Sequence, residues 1–145
     1  MIVRYGDIAE ALADRGEMIC PFRGCSMLPM LRQDRDAVHL KRHDGKGLNA
    51  ADLPLYLRED GTPVLHRVLK VGKTGYLVCG DSCVEGKWIR PEQVIGIAVG
   101  YLRDGEYRSC TDPDYLRYAK GRVRNRRLAL LWARLRSLGD GKDKR

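Results

Sequence analysis

Three observations predict a mainly β, antiparallel domain with a short N-terminal helix and a basic C-terminal helix. Between Met18 and Cys110, brief segments rich in Val, Leu, Ile and Tyr are separated by clusters of turn residues. Asp60-Gly61, Lys73-Thr74-Gly75 and Asp104-Gly105 sit between neighbouring segments as hairpin turns do. Helical periodicity is confined to the two ends of the chain. The 145 residues suit one hydrophobic core rather than two.

In chain order, Asp7 and Glu10 have the spacing of a capping box. Ile8, Ala11 and Leu12 then recur at helical intervals, and Gly16 offers a left-handed stop. Strands are expected over Ala37 to Lys41, Leu53 to Arg58, Pro63 to Val71, Gly75 to Cys79, Val94 to Leu102 and Glu106 to Cys110. Asp112 can cap a helix with Pro113 at its first position, where the missing N–H has no partner to lose. That helix should run to about Leu138 with a break near Gly121, and residues 139–145 are polar enough to predict a disordered tail. The division is then a β domain over 1–111, a basic helical segment over 112–138 and the tail.

Charge is unevenly distributed. Met1 to Asp114 carries 16 Lys+Arg against 17 Asp+Glu, whereas Tyr115 to Arg145 carries 11 against 2, a net of +9. No run approaches the roughly 18 apolar residues of a membrane span, and the first residues lack the apolar region of a secretory signal, so a cytoplasmic protein is expected. Cys20, Cys25, Cys79, Cys83 and Cys110 are odd in number and show no C-x-x-C spacing, which predicts reduced thiols and no metal centre. Cys79 and Cys83 are near enough in sequence to meet across a turn, and Cys25 adjoins Ser26.

The candidate chemistry centres on Ser26, in Arg23-Gly24-Cys25-Ser26-Met27-Leu28-Pro29-Met30-Leu31. A serine hydroxyl needs a base, and the base needs an orienting group. Of the three histidines, His39 falls in an expected strand and His43 in a polar turn. His66 lies within the apolar run Pro63 to Leu69, where its ring requires a partner. Asp81 follows Gly80 at the end of a strand, where a tight turn can bring it toward neighbouring strands. Taken singly, Ser26 also reads as a turn residue and His66 as a structural histidine.

The order of the segments adds what spacing does not. Gly24 to Leu31 resembles the nucleophile box of the signal peptidase I and LexA-like serine peptidase superfamily. Ala51 to Leu57 resembles that family's next strand, Leu65-His66-Arg67-Val68 its general-base strand, and Gly80-Asp81-Ser82 with Glu92 to Gly96 its closing section. The resemblance covers about Gly24 to Val99 and is to the branch whose base is histidine, as in endoplasmic-reticulum and archaeal-type enzymes. It implies a LexA/signal-peptidase-like fold and a serine endopeptidase acting on a leader-like segment or small precursor peptide, without cofactor or metal. Ser26 would be the nucleophile, His66 the base and Asp81 its orienter. Backbone N–H groups around Ser26 would hold the oxyanion, with Cys25, Met27 and Pro29 lining the cleft.

The sequence departs from the family in two respects. Signal peptidases carry a membrane anchor, which no segment of this sequence is expected to supply, and histidine-branch members often have a second aspartate where the nearest acid here is Glu85. Non-catalytic readings are a peptide- or partner-binding module on the same fold, or a basic surface-associated protein. In the C-terminal helix, Leu128, Leu131, Trp132, Leu135 and Leu138 share one face, while Leu130 falls on the far side. That stripe either docks on the protein's own sheet or, with Arg126, Arg127, Arg134 and Arg136, meets an anionic membrane surface or an acidic partner. Nucleic acid is disfavoured, since no reading motif accompanies the basic run.

Overall fold

The computed structural model describes residues 5–140. Helix α1 (Tyr5–Arg15) is followed by strands β1 (Glu17–Pro21), β2 (Ala37–Arg42), β3 (Pro54–Leu57), β4 (Pro63–Leu65), β5 (Arg67–Val71), β6 (Tyr76–Cys79) and β7 (Lys87–Ile89). A short 3-10 turn precedes β8 (Val94–Arg103) and β9 (Glu106–Ser109), and the chain continues into helix α2 (Pro113–Asp140). All strand pairings are antiparallel. One sheet has the order β1-β2-β8-β3-β4 with β9 also on β8, and the other the order β5-β6-β7.

The expected helix, strands and hairpins form, with informative differences. Helix α1 starts at Tyr5, so Asp7 lies within its first turn rather than ahead of it. Gly16 ends it at φ +78°, its N–H donating to Leu12 O at 3.0 Å. Strands β1 and β7 form where no strand was expected. They are short outer strands of their sheets; β1 alternates in exposure but carries Ile19 on its exposed face, which hides the alternation in the sequence, and β7 has only three residues. The expected strand Pro63 to Val71 divides at His66. Leu65 ends a strand of the first sheet and Arg67 begins one of the second, so His66 is the single residue at which the chain crosses between sheets.

Helix α2 runs unbroken through Gly121 and takes in Gly139 and Asp140; residues 141–145 of the expected tail lie outside the described residues. Asp112 turns its carboxylate back to accept the Ser109 N–H at 3.2 Å, while its carbonyl accepts the Leu116 N–H at 2.9 Å. Far from being an appendage, the first half of α2 completes the core. Tyr115 and Ala119 join Leu12, Met27, Leu40 and Leu55 in the main cluster, and Val123 packs with Leu69 and Cys79.

At the centre of these elements lies a fully buried ion pair. The β5–β6 register sets Arg67 opposite Cys79, so Asp81, two residues on, comes within reach of the guanidinium. Arg67 Nε donates to Asp81 Oδ1 at 2.7 Å and Nη2 to Oδ2 at 2.9 Å. The remaining N–H groups go to Ala51 O, Tyr115 Oη and the Met30 sulfur, which accounts for all five donors. Tyr118 Oη donates to Asp81 Oδ2 at 2.8 Å, and the Tyr115 and Tyr118 rings each lie 5.7 Å from the guanidinium carbon. Burial alone would pull the Arg67 pKa down, but the carboxylate outweighs it and drives it above its ordinary value.

Removing one partner of such a pair strands the other charge in apolar surroundings. Arg67→Met should therefore cost about 3–5 kcal/mol in urea unfolding, whereas the double replacement Arg67→Met/Asp81→Leu should cost clearly less than the sum of the single changes.

Candidate active site

The loop carrying Ser26 is held from both ends. Gly24 N–H donates to Gln33 Oε1 at 2.8 Å, and Leu31 N–H to Met27 O at 3.0 Å. Met27 and Met30 are buried in the main core, which leaves Ser26 half exposed between them and the surface. The turn after β6 closes onto this loop. Ser82 N–H donates to Ser26 O at 3.1 Å, and Ser82 Oγ to Cys25 O at 2.6 Å. Gly80 is required by this approach, because a Cβ there would lie 2.5 Å from Ser26 O, 2.7 Å from Cys83 Sγ and 3.1 Å from Ser26 Cβ.

Ser26 and His66, forty positions apart in sequence, line one cavity of about 380 Å³. Its apolar wall includes Phe22, Leu40, Leu55 and Leu65, and Arg23, Arg58 and Cys83 also border it. Burial, reinforced by the neighbouring Arg58, lowers the His66 pKa from its ordinary 6.5 to about 4, so the imidazole is neutral at physiological pH. Among the described residues no hydrogen bond joins Ser26 to His66. The Ser26 N–H group likewise has no protein acceptor among those residues, and Ser26 borders the cavity.

The imidazole's partner is one that the sequence reading missed. Tyr56 Oη lies 3.4 Å from His66 Nδ1, with the two rings edge to face at 6.2 Å. Strand register produces the contact. Tyr56 pairs with Val64 across β3 and β4, and His66 lies two residues beyond on the same face. Burial raises the Tyr56 pKa, which keeps its hydroxyl protonated. The clue in the sequence was a phenol within Pro-Leu-Tyr-Leu, ahead of the Asp60-Gly61 turn that fixes the register.

Other expected roles change. Asp81 does not orient His66, because Arg67 and Tyr118 take both of its carboxylate oxygens. Glu85 has an exposed side chain and contributes only its carbonyl, which accepts from Cys79 Sγ at 3.3 Å. Met27 is core rather than cleft wall. Pro29 borders a separate cavity beside Arg103 and Tyr115, and Cys25 is exposed outside the lining. All five cysteines are free. Cys79 reaches Cys83 through a thiol–carbonyl contact of 3.6 Å, and burial raises its pKa to about 11, so it is an inert thiol. His39 is occupied by Tyr107 Oη at 2.7 Å and Glu17 at 3.2 Å, away from the cavity. Among the described residues no cluster of three His, Cys, Asp or Glu side chains could hold a metal ion.

Comparison with protein-family models, with curated proteins and with solved structures found no match to this chain.

Two outcomes follow from the geometry. Gly80→Ala should displace the Ser26 loop and reduce any Ser26-dependent turnover by roughly tenfold or more, a shift that chemical-shift changes confined to the two facing turns would register. His66 binds its proton less readily folded than unfolded. Its contribution to stability is therefore complete above pH 6.5 and is lost as pH falls toward about 4. His66→Gln should flatten the stability profile in that window, measured by urea unfolding at successive pH values.

Proposed function

We propose that this chain is a serine endopeptidase resembling the histidine branch of the signal peptidase and LexA-like superfamily. The observation that carries this reading is the meeting of Ser26 with a neutral, half-buried His66 at one apolar-walled cavity. Ser26 Oγ attacks the scissile carbonyl while His66 accepts its proton. The developing oxyanion is met by the free N–H of Ser26, and the protonated His66 returns the proton to the leaving amine. Water, activated by the same imidazole, then hydrolyses the acyl ester.

In place of an aspartate, Tyr56 sets the imidazole. With Nδ1–H donating to Tyr56 Oη, Nε2 keeps the lone pair that a general base needs. Arg67 and Asp81 act at a distance, by fixing the turn that grips the Ser26 loop. A substrate side chain entering between Phe22, Leu55 and Leu65 would be small or apolar, which agrees with the family's preference for residues such as Ala before the cut. Leader-like segments of small precursor peptides are the substrate class this reading favours, and the cytoplasm the compartment; no helix among the described residues is long and apolar enough to cross a membrane.

A peptide-binding module without catalysis is the second reading, favoured by the missing Ser26–His66 hydrogen bond. Incubating the full chain with a diverse peptide library and reading products by mass spectrometry separates the two. Cleavage that falls at least roughly a thousandfold in Ser26→Ala and in His66→Gln supports the peptidase. Retention of peptides without products, equal in wild type and Ser26→Ala, supports the module. Tyr56→Phe should lower kcat more than it raises KM, because it loosens the imidazole without touching the substrate pocket. In the wild type, kcat/KM should hold down to a limb near pH 4 rather than 6.5.

A further inference from the structure

The second half of α2 carries an apolar stripe that nothing in the fold covers. Leu128, Leu131, Trp132, Leu135 and Leu138 are 48–63 % exposed. At helical spacing they fill one sector about 120° wide, larger than the scattered exposed leucines of an ordinary surface. The helix docks through its other side. Val123 is buried, Leu130 packs toward Leu69 and Cys79, Arg126 Nη1 donates to Cys83 O at 2.7 Å, and the Arg127 guanidinium holds Leu69 O. Of the two placements the sequence left open for the stripe, the outward one is found, and Leu130, the residue that broke its pattern, is the one that packs.

We propose that this face binds an anionic membrane surface, lying in the interface with its arginines against lipid phosphates. Charge selects the occupant. From Tyr115 onward the chain has 11 Lys+Arg against 2 Asp+Glu, and Arg124, Arg134 and Arg136 are exposed around the stripe. Pairing two copies along this face would bring two such basic segments together, whereas an anionic leaflet neutralises them. Residues 131–139 are exposed on every side, so the helix leaves the body and can lie flat without obstruction. Trp132, 60 % exposed within the stripe, has the amphipathic ring suited to the headgroup boundary. Since Arg126 grips Cys83, which lines the Ser26–His66 cavity, the bound helix would hold that cavity close to the bilayer.

Sedimentation of the full chain with vesicles tests this, using phosphatidylcholine alone and phosphatidylcholine mixed with phosphatidylglycerol. A Trp88→Phe background makes Trp132 the sole fluorescent reporter. Binding to the mixed vesicles only, with a blue-shifted Trp132 emission, is expected. Leu131→Gln/Leu135→Gln should bind roughly tenfold more weakly while keeping the wild-type melting profile, because both side chains are exposed. Three results would overturn the proposal: no sedimentation with either vesicle, equal binding by the leucine variant, or a stripe-dependent dimer without vesicle binding, which would assign the face to a second copy.

Discussion

The buried Arg67–Asp81 pair is the constraint on which the rest of this structure depends. An ion pair without solvent is tolerable only when its remaining hydrogen-bonding capacity is filled. Here that demand recruits Ala51 from the loop before β3, Met30 from the segment after Ser26, and Tyr115 and Tyr118 from α2. Five separate parts of the chain therefore meet at one guanidinium and its carboxylate. A hydrophobic replacement of equal volume could fill the space, but it would not specify which loops must arrive there or at what angle. The pair fixes the turn from Gly80 to Cys83, and that turn fixes Ser26 through Ser82.

His66 owes its properties to its position beside this pair rather than to membership in it. Placed where the chain leaves one sheet for the other, it falls on the face opposite to the buried Leu65 and Arg67. It reaches the cavity while most of its ring remains away from water. Desolvation and Arg58 together hold it neutral, and a neutral imidazole can accept a proton but accepts it weakly. Tyr56 suits this environment better than a carboxylate would. A phenol orients the ring without adding a second buried charge, whereas an ionised aspartate would stabilise the imidazolium and raise the pKa toward ordinary values.

How far the sequence disclosed this depends on the range of the interactions involved. Turn chemistry is local, so Asp60-Gly61, Lys73-Thr74-Gly75 and Asp104-Gly105 correctly marked the β3–β4, β5–β6 and β8–β9 hairpins. The meeting of Ser26 and His66 was legible only from the order of several segments, since no local spacing links them. Asp81 was read as the orienter of His66, whereas the fold pairs it with Arg67 and Tyr118. Arg67, adjacent to His66 in sequence, points to the opposite side and takes the carboxylate, a competition that residue identities alone do not rank. Tyr56 was missed because its role arises from strand register, which becomes visible only once β3 and β4 are paired.

The same limitation explains α2. Its stripe of Leu128, Leu131, Trp132, Leu135 and Leu138 was the most apolar face of the helix, and burial follows apolarity in most helices. Here the helix is committed earlier, by Tyr115 and Tyr118 at the Arg67–Asp81 pair, and that commitment sets the rotation of every residue after them. With Ala119 and Val123 turned inward, helical geometry brings Arg126 and Leu130 onto the body and the richer stripe outward. The arginines divide accordingly. Arg126 and Arg127 are spent on backbone carbonyls of the protein, while Arg134 and Arg136 remain at the surface beside exposed leucines. A buried polar cluster at one end of a helix thus determines which face its other end presents to the surroundings.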